Sequence, residues 1–475
     1  MKILLVNPPI PEILTNKEYY IPSSLLYLAA VLRKDEVEVL DLNTFRPYKS
    51  GNPTKLCEGI LMEKIADFRP SLIGLGCLFS GQFPDVLNFS GKIKEVFKTT
   101  PIVIGGMHPT IYPAEILANC PSIDWVVIGE GEESVLQLVN TLSDESYDFD
   151  KVDGFAYRRN GKVIVNPKRR LISNLDDIPF PVYDLINLPD YYHDTSGWHN
   201  PKNLPINMSI PIISSRGCPM HCTFCCMFMV MGHRQRCRTP EKVVDEIEFL
   251  YQKYGHRHFS FMDDNLTLNR IHILEICNEI IKRRLNIQFE TPNGISTGTL
   301  NEEVLDALVS AGLVRVSLAI ESGSDFIRNE VMRKRLSRDK IFEIIRLTKK
   351  HRALYVRTFF IMGMPEDTRE TLEETYEMLK EIDIDKPIVT NLMPFPGTKV
   401  FEQALRDNLF IGNLAMENLW RMDEFYYTGN KRFFIKPYAL ELSELQEFRE
   451  RFDCLLEEIT AKKLQERKSY QYAKI

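Results

Sequence analysis

The chain has 475 residues, 44% hydrophobic and 26% charged, with a formal net charge of −6 and ten cysteines. That length exceeds one ordinary core and predicts two or three domains, while the composition excludes a disordered chain. Scattered basic residues on an acidic chain argue against a nucleic-acid partner, and no stretch has the apolar length of a membrane span.

"MKILLVN" is cut short by Asn7, Pro8 and Pro9 before the apolar core of a signal peptide is complete, so it reads as a buried first strand of a cytoplasmic protein. There thiols stay reduced, and clustered cysteines point to metal or redox chemistry rather than to disulfides. Through residue 145 the runs "KILLVN", "VEVLDLN", "SLIGLGCLF", "PIVIGG" and "WVVIGEGE" alternate with amphipathic stretches such as "SSLLYLAAVLRK". This pattern predicts a doubly wound, Rossmann-like α/β domain with a parallel sheet.

The strand ends of this domain carry Gly74 and Gly76, Gly105 and Gly106, and Gly129 and Gly131 around Glu130. Ligands of such sheets sit at the carboxyl ends of strands, where glycine lets backbone approach a flat molecule; the plainer role is a tight strand-to-helix turn. "NPPIPE" stands where a dinucleotide fingerprint would follow the first strand, which argues against a nicotinamide or flavin dinucleotide. "NPP", "GGMHPT" and "VIGEGEESV" together resemble the cobalamin-binding domain that precedes many radical S-adenosylmethionine (SAM) barrels. The resemblance implies a corrinoid held near Gly76, Gly105, Gly106, His108, Gly129, Glu130 and Gly131. The D-x-H-x-x-G string of histidine-ligated cobalamin is absent, so that lower ligand is not expected, and His108 beside Pro109 reads more simply as a turn former.

Residues 146–209 read as an ordered linker, with a hairpin signal at Asn160-Gly161 and a proline-rich strap anchored by aromatic residues. From residue 210 the alternation restarts, with strands at "IPIISSRG", "HFSFMDD", "IQFETPNG", "VRVSLAIES", "YVRTFFIMG" and "PIVTNLMPF". Helices are predicted near 240–254, 270–284, 301–311, 338–350 and 368–382. Residues 210–400 are thus expected to form a partial (β/α)6 TIM-type barrel, and 401–475 a mainly helical tail.

The loop after the first barrel strand, "SSRGCPMHCTFCCM", presents Cys218, Cys222 and Cys225. Three thiolates at this spacing fit three corners of a cubic [4Fe–4S] cluster and leave the fourth iron open. A structural zinc site is the competing reading; Cys226, Cys237, His221 or His233 would have to complete it, and no second cysteine hook exists. The motif resembles that of the radical SAM superfamily. The resemblance implies SAM on the open iron, Phe224 beside its adenine, and Asp263 with Asp264 toward its amino group. It further implies contacts from Glu321 and Ser322, and Arg357 toward the SAM carboxylate, with "IMGMPEDT" on the adenine side. Each residue also has a structural role open to it: the acids as helix caps, Asp264 above all, and Arg357 as their partner. Glu321, an acid closing an apolar strand, is the strongest single ligand candidate.

The two resemblances together imply reductive cleavage of SAM to a 5′-deoxyadenosyl radical, driven by an electron donor such as flavodoxin or ferredoxin. Cobalamin then delivers a methyl group to an unactivated carbon and is remethylated by a second SAM. The expected activity is a cobalamin-dependent radical SAM C-methyltransferase. Alternatives are an oxidative cyclase or rearrangement enzyme with the same cofactors, and a non-catalytic corrinoid or cluster sensor. No motif chooses the substrate among small molecules, lipids, tetrapyrroles and peptides.

Overall fold

In β1 (Lys2–Asn7), successive side chains alternate between two buried faces: Ile3 and Leu5 on one, Leu4 and Val6 on the other. A strand buried on both sides needs a layer on each. Phe83, Val86 and Phe89 of the helix Phe83–Val96 join Leu61 and Ile65 of Pro53–Phe68 over the Leu4 face. Leu25 and Ala29 of Ser23–Val31 join Val135 and Leu138 of Glu132–Ser143 over the other.

The computed structural model describes residues 1–10, 20–45, 53–78, 80–144, 148–412, 420–421 and 432–472. The end of the predicted "NPPIPE" turn, the start of the predicted linker and much of the predicted tail between 413 and 431 lie outside them. Residues 1–193, 228–232 and the described part of 414–428 form one compact unit, and the remainder forms a second.

In the first unit β2 (Glu36–Asp41), β1, β3 (Leu72–Gly76), β4 (Ile102–Gly105) and β5 (Trp125–Val127) lie side by side and parallel. β6 (Phe155–Arg159) and β7 (Lys162–Asn166) extend the sheet antiparallel. Asn160 and Gly161, at φ +52° and +74°, make the hairpin turn between them. The strand order reverses between β1 and β3, the switch point at which doubly wound sheets take ligands.

The second unit has six parallel strands in chain order: β8 (Ile210–Ile212), β11 (His258–Phe261), β12 (Gln288–Glu290), β14 (Leu313–Glu321), β15 (Tyr355–Met362) and β16 (Lys386–Asn391). Short β9 (Ser215–Arg216) and β10 (Arg236–Cys237) form a ribbon after β8, and β13 (Ile295–Ser296) pairs with β14. Among the described residues β8 and β16 are open edges, so the barrel is partial. Asn269, Asn301, Ser337, Thr368 and Thr398 cap the helices that follow, each accepting a first-turn backbone N–H.

The predicted tail contains a short helix, Lys399–Arg406, and a long one, Leu442–Tyr472. The long helix buries Leu445, Phe448 and Phe452 and donates from Arg449 Nη1 to the Val389 carbonyl of β16 at 2.8 Å. No helix among the described residues is long and apolar enough to cross a membrane.

Candidate functional site

The cysteine loop is pinned at both ends. Gly217, at φ +85°, donates its N–H to Asp264 Oδ2 at 2.7 Å. Thr223, between the second and third cysteines, donates its N–H to Met332 O and its hydroxyl to Val331 O, while its own carbonyl accepts from Val400 N at 3.1 Å. Such pinning sets the loop's shape before any ligand arrives.

Cys218, Cys222 and Cys225 are free and half-buried. Burial pushes all three thiols up, Cys225 to about 12. They also lie near enough to feel one another: Cys218 raises Cys222, and Cys222 raises Cys225. A thiolate is the metal-binding form, so positive charge must offset that rise when metal binds. Cys226 is likewise raised by burial, to about 11.

Part of that positive charge is built in. Lys334 is buried beside the loop, 2.8 Å from Glu321 Oε1, and lowers Cys218 and Cys222. Burial alone would push its ammonium down, but Glu321, Cys222 and Cys225 outweigh burial and hold it above the ordinary lysine value. Glu321 closes β14 at φ +74°, a conformation costing a non-glycine residue about 1–3 kcal/mol. Among the described residues no three His, Cys, Asp or Glu side chains are grouped to hold one metal ion. A cubane meets each thiolate at a separate iron, so its cysteines need not converge on a point. The donor set therefore fits an iron–sulfur cube better than a mononuclear zinc.

The other predicted SAM contacts divide. Phe224 lies in the pinned loop, half-buried beside Cys225. Asp264 reaches the loop through Gly217, and burial pushes its carboxyl up to about 6. Asp263, expected to meet the SAM amino group, is instead 3% exposed and occupied by Ser214 N, Ser214 Oγ and Ser215 Oγ, at 3.2, 2.6 and 2.7 Å. It fastens the turn from β8 into β9. Ser322 is also turned inward: its hydroxyl accepts from Ser324 N, and it meets Thr375 Oγ1 at 3.3 Å.

Arg357 is the third residue of an eight-residue strand, well before the carboxyl end where ligands of such barrels bind. Its Nε donates to Ser317 Oγ at 3.1 Å. It also helps His258 and Arg315 hold the Glu290 carboxyl at about 2, against a burial effect that would raise it. Arg357 thus belongs to a charged layer inside the barrel.

In the first unit, Gly76 and Gly105 end β3 and β4 with room for a Cβ: the nearest atoms would be at 3.5 and 3.6 Å, ordinary contacts. Packing does not demand glycine there: a Cβ would lie in ordinary contact with Val6, Leu25 and Pro8 at Gly76 and with Val127 at Gly105. Exposed Leu78 follows Gly76, giving the strand ends beside the switch point an apolar rim suited to a flat macrocycle. Pro8, after β1, is fixed by Asn43 Nδ2 and Gln82 Nε2, both donating to its carbonyl at 3.2 Å. These residues fit a corrin.

The other glycines named from sequence, Gly106, Gly129 and Gly131, serve loop geometry or packing. Gly106 has φ +122°, and a Cβ there would stand 2.2 Å from the Cys77 carbonyl oxygen. Gly129, at φ +73°, donates to Thr110 Oγ1, which itself donates to the Gly106 carbonyl and so ties the β4 and β5 loops. Gly131 lies against Leu28, and Glu130 accepts from Ile172 N at 2.9 Å. His108 is fully buried, with ring centroids 4.5 and 5.3 Å from Phe83 and Tyr112 and Nε2 2.8 Å from Trp420 O. Burial lowers it to about 4. It is a neutral core histidine.

Gly106→Ala is expected to cost the first unit about 1–3 kcal/mol from positive φ, with the Cys77 clash added. In a protein this size that lowers its melting transition by roughly 5 °C, read by calorimetry. Lys334, Thr223 and Thr110 were not singled out from sequence, although Thr223 lay in "SSRGCPMHCTFCCM" and Thr110 in "GGMHPT".

Models of the B12 binding domain and of the Radical SAM superfamily match residues 13–139 and 212–379. A Pyrococcus horikoshii protein named as an uncharacterized methyltransferase is 32% identical over 414 residues, covering 86% of this chain and 84% of its own. The chain belongs to the B12-binding radical SAM enzymes. The cofactors of this enzyme are a [4Fe–4S] cluster, SAM and cobalamin.

The cytidylyl-2-hydroxyethylphosphonate methyltransferase of Streptomyces wedmorensis is 28% identical, over 89% of this chain and 84% of its own. Anaerobic magnesium-protoporphyrin IX monomethyl ester cyclases also match, at 28 to 29% identity. The B12-binding radical SAM fold is shared with the methyltransferase TsrM of Kitasatospora setae, solved with cobalamin and a [4Fe–4S] cluster. The TM-score is 0.73 over 94% of this chain and 90% of that one, at 19% identity.

Proposed function

We propose that this enzyme is a cytoplasmic C-methyltransferase acting on an unactivated carbon. The supporting observation is the near end-to-end match to two proteins named as methyltransferases, each covered over 84% of its length. When bound, the cluster supplies one electron for SAM cleavage and the corrinoid supplies a transferable methyl group.

The chain's own residues supply placement. Cys218, Cys222 and Cys225 hold the cluster, and Asp264 and Thr223 keep their loop in shape through Gly217, Val331 and Met332. Glu321 and Phe224 are the SAM-side residues, Glu321 being steadied by Lys334. Gly76 and Gly105 end β3 and β4 beside exposed Leu78, where the corrin would lie. Asp263, Ser322, Arg357 and His108 keep structural roles.

Turnover with the true substrate is expected to release S-adenosylhomocysteine and 5′-deoxyadenosine in about equal amounts, one from each SAM consumed. Chromatography of the quenched reaction measures both. Release of 5′-deoxyadenosine alone overturns methylation and leaves the cyclase or rearrangement reading.

A further inference from the structure

After β14 the chain makes a single π-helical turn, Phe326–Val331, and then bends sharply through Arg333 and Arg335 at φ +60° and +54°. Left-handed backbone at two non-glycine residues is strain that the surrounding structure must hold, and Lys334 is the residue between them. A fully buried arginine does the holding. Arg328 donates from Nη1 to the Ser322 carbonyl and from Nε to the Leu336 carbonyl, each at 2.7 Å, and so spans from the end of β14 to the far side of the bend. Its own carbonyl accepts from Lys334 N at 2.9 Å. Arg333 and Arg335 are exposed, whereas Lys334 points back inward to Glu321.

The same segment is fastened to the cysteine loop. Val331 and Met332 accept from Thr223, the residue after Cys222, so Lys334 follows by two residues a bond to the middle of the loop. Glu321 takes one of the three ammonium hydrogens. At Cys222 burial raises the thiol, and Lys334 opposes that rise more strongly than Glu321 adds to it. The ion pair therefore turns its positive end to the loop.

We propose that Lys334 sets the reduction potential of the [4Fe–4S] cluster, its fixed ammonium favouring the reduced form. The inference rests on the assignment of Cys218, Cys222 and Cys225 as cluster ligands. Reduction adds one electron to the cube and takes it from the 2+ to the 1+ state; no bond breaks, and Lys334 keeps its proton. A buried cation close by stabilises the added negative charge, and charge and surroundings are what set the potential of such clusters. Glu321 works against it, so the two halves of one ion pair move the potential in opposite directions. A loosened loop would not do that.

The experiment uses the full chain reconstituted with cluster and cobalamin but without SAM, which keeps the SAM-side role of Glu321 out of the measurement. Iron content is recorded first, and a parent chain without iron refutes the cluster assignment before any potential is read. The electron paramagnetic resonance signal of the reduced cluster is then followed against a poised potential. Lys334→Met is expected to lower the ratio of reduced to oxidised cluster at a fixed potential about tenfold, a midpoint about 59 mV lower for one electron. Lys334→Arg recovers most of the ratio, and Glu321→Gln raises it above the parent's.

If Lys334→Met fails to take up iron, Glu321→Gln and the double variant Lys334→Met/Glu321→Gln, which leaves no charge unpaired, carry the test. The ratio then rises in the first and falls below the parent's in the second. An unchanged ratio in Lys334→Met at full iron content overturns the proposal, as does an unchanged ratio in both Glu321→Gln and the double variant. Shifts of Lys334→Met and Glu321→Gln in the same direction overturn it as well.

Discussion

Cys222→Ala protein, reconstituted without oxygen, is expected to carry less than about one iron per chain, against about four in the parent, and to form no 5′-deoxyadenosine. It should still bind hydroxocobalamin. Two thiolates cannot hold a cube that the loop meets through three. The change spares the fold, because the loop's anchors at Gly217 and Thr223 do not involve the Cys222 side chain. Cys226→Ala is the matching control and should keep about four irons, since an adjacent residue cannot serve the same corner as Cys225. Iron retained in Cys222→Ala but lost in the double variant with Cys226→Ala would assign a corner to Cys226 instead. Gly106→Ala should give the converse result, weakened corrinoid retention with iron intact, because its clash with Cys77 lies in the first unit.

What could be read from the chain before its structure follows the range of each interaction. Cys218, Cys222 and Cys225 fall within eight positions, so spacing alone nominated them as cluster ligands. The strands "VRVSLAIES" and "YVRTFFIMG" were visible because apolar runs and their turns are local. Side-chain direction at a strand end was not. Ser322 and Arg357 were named from their motif positions, yet Ser322 turns to Thr375 and Arg357 to Ser317, partners 53 and 40 positions away. His108, named in "GGMHPT" but read more simply as a turn former, is closed in by Phe83 and Tyr112 and by Trp420 from the far end of the chain. Lys334 escaped notice for the same reason. Its partner Glu321 is 13 positions back, and the thiols it faces are more than a hundred away.

Lys334 carries the second large expected effect. Lys334→Met should cost about 3–5 kcal/mol, the usual penalty for stripping one partner from a buried ion pair. Both side chains are about one-tenth exposed, so water cannot replace the lost ammonium at Glu321. Glu321 also holds a left-handed backbone conformation at the end of β14, and a carboxylate left unpaired there adds to strain already present. Glu321→Gln in the same chain should restore most of the loss, because the amide needs no counter-charge and no charge remains buried alone. The coupling is read from a double-mutant cycle on the unfolding transition of the cluster-free protein, which keeps iron binding out of the measurement. A Lys334→Met cost below about 1 kcal/mol would place Lys334 among exposed pairs of little worth, in conflict with its burial. If the cost is large but Glu321→Gln restores nothing, the ammonium's stabilising partner is the cysteine loop rather than Glu321. The thiols would then depend on Lys334 directly, and the single variant should also retain less iron than the parent.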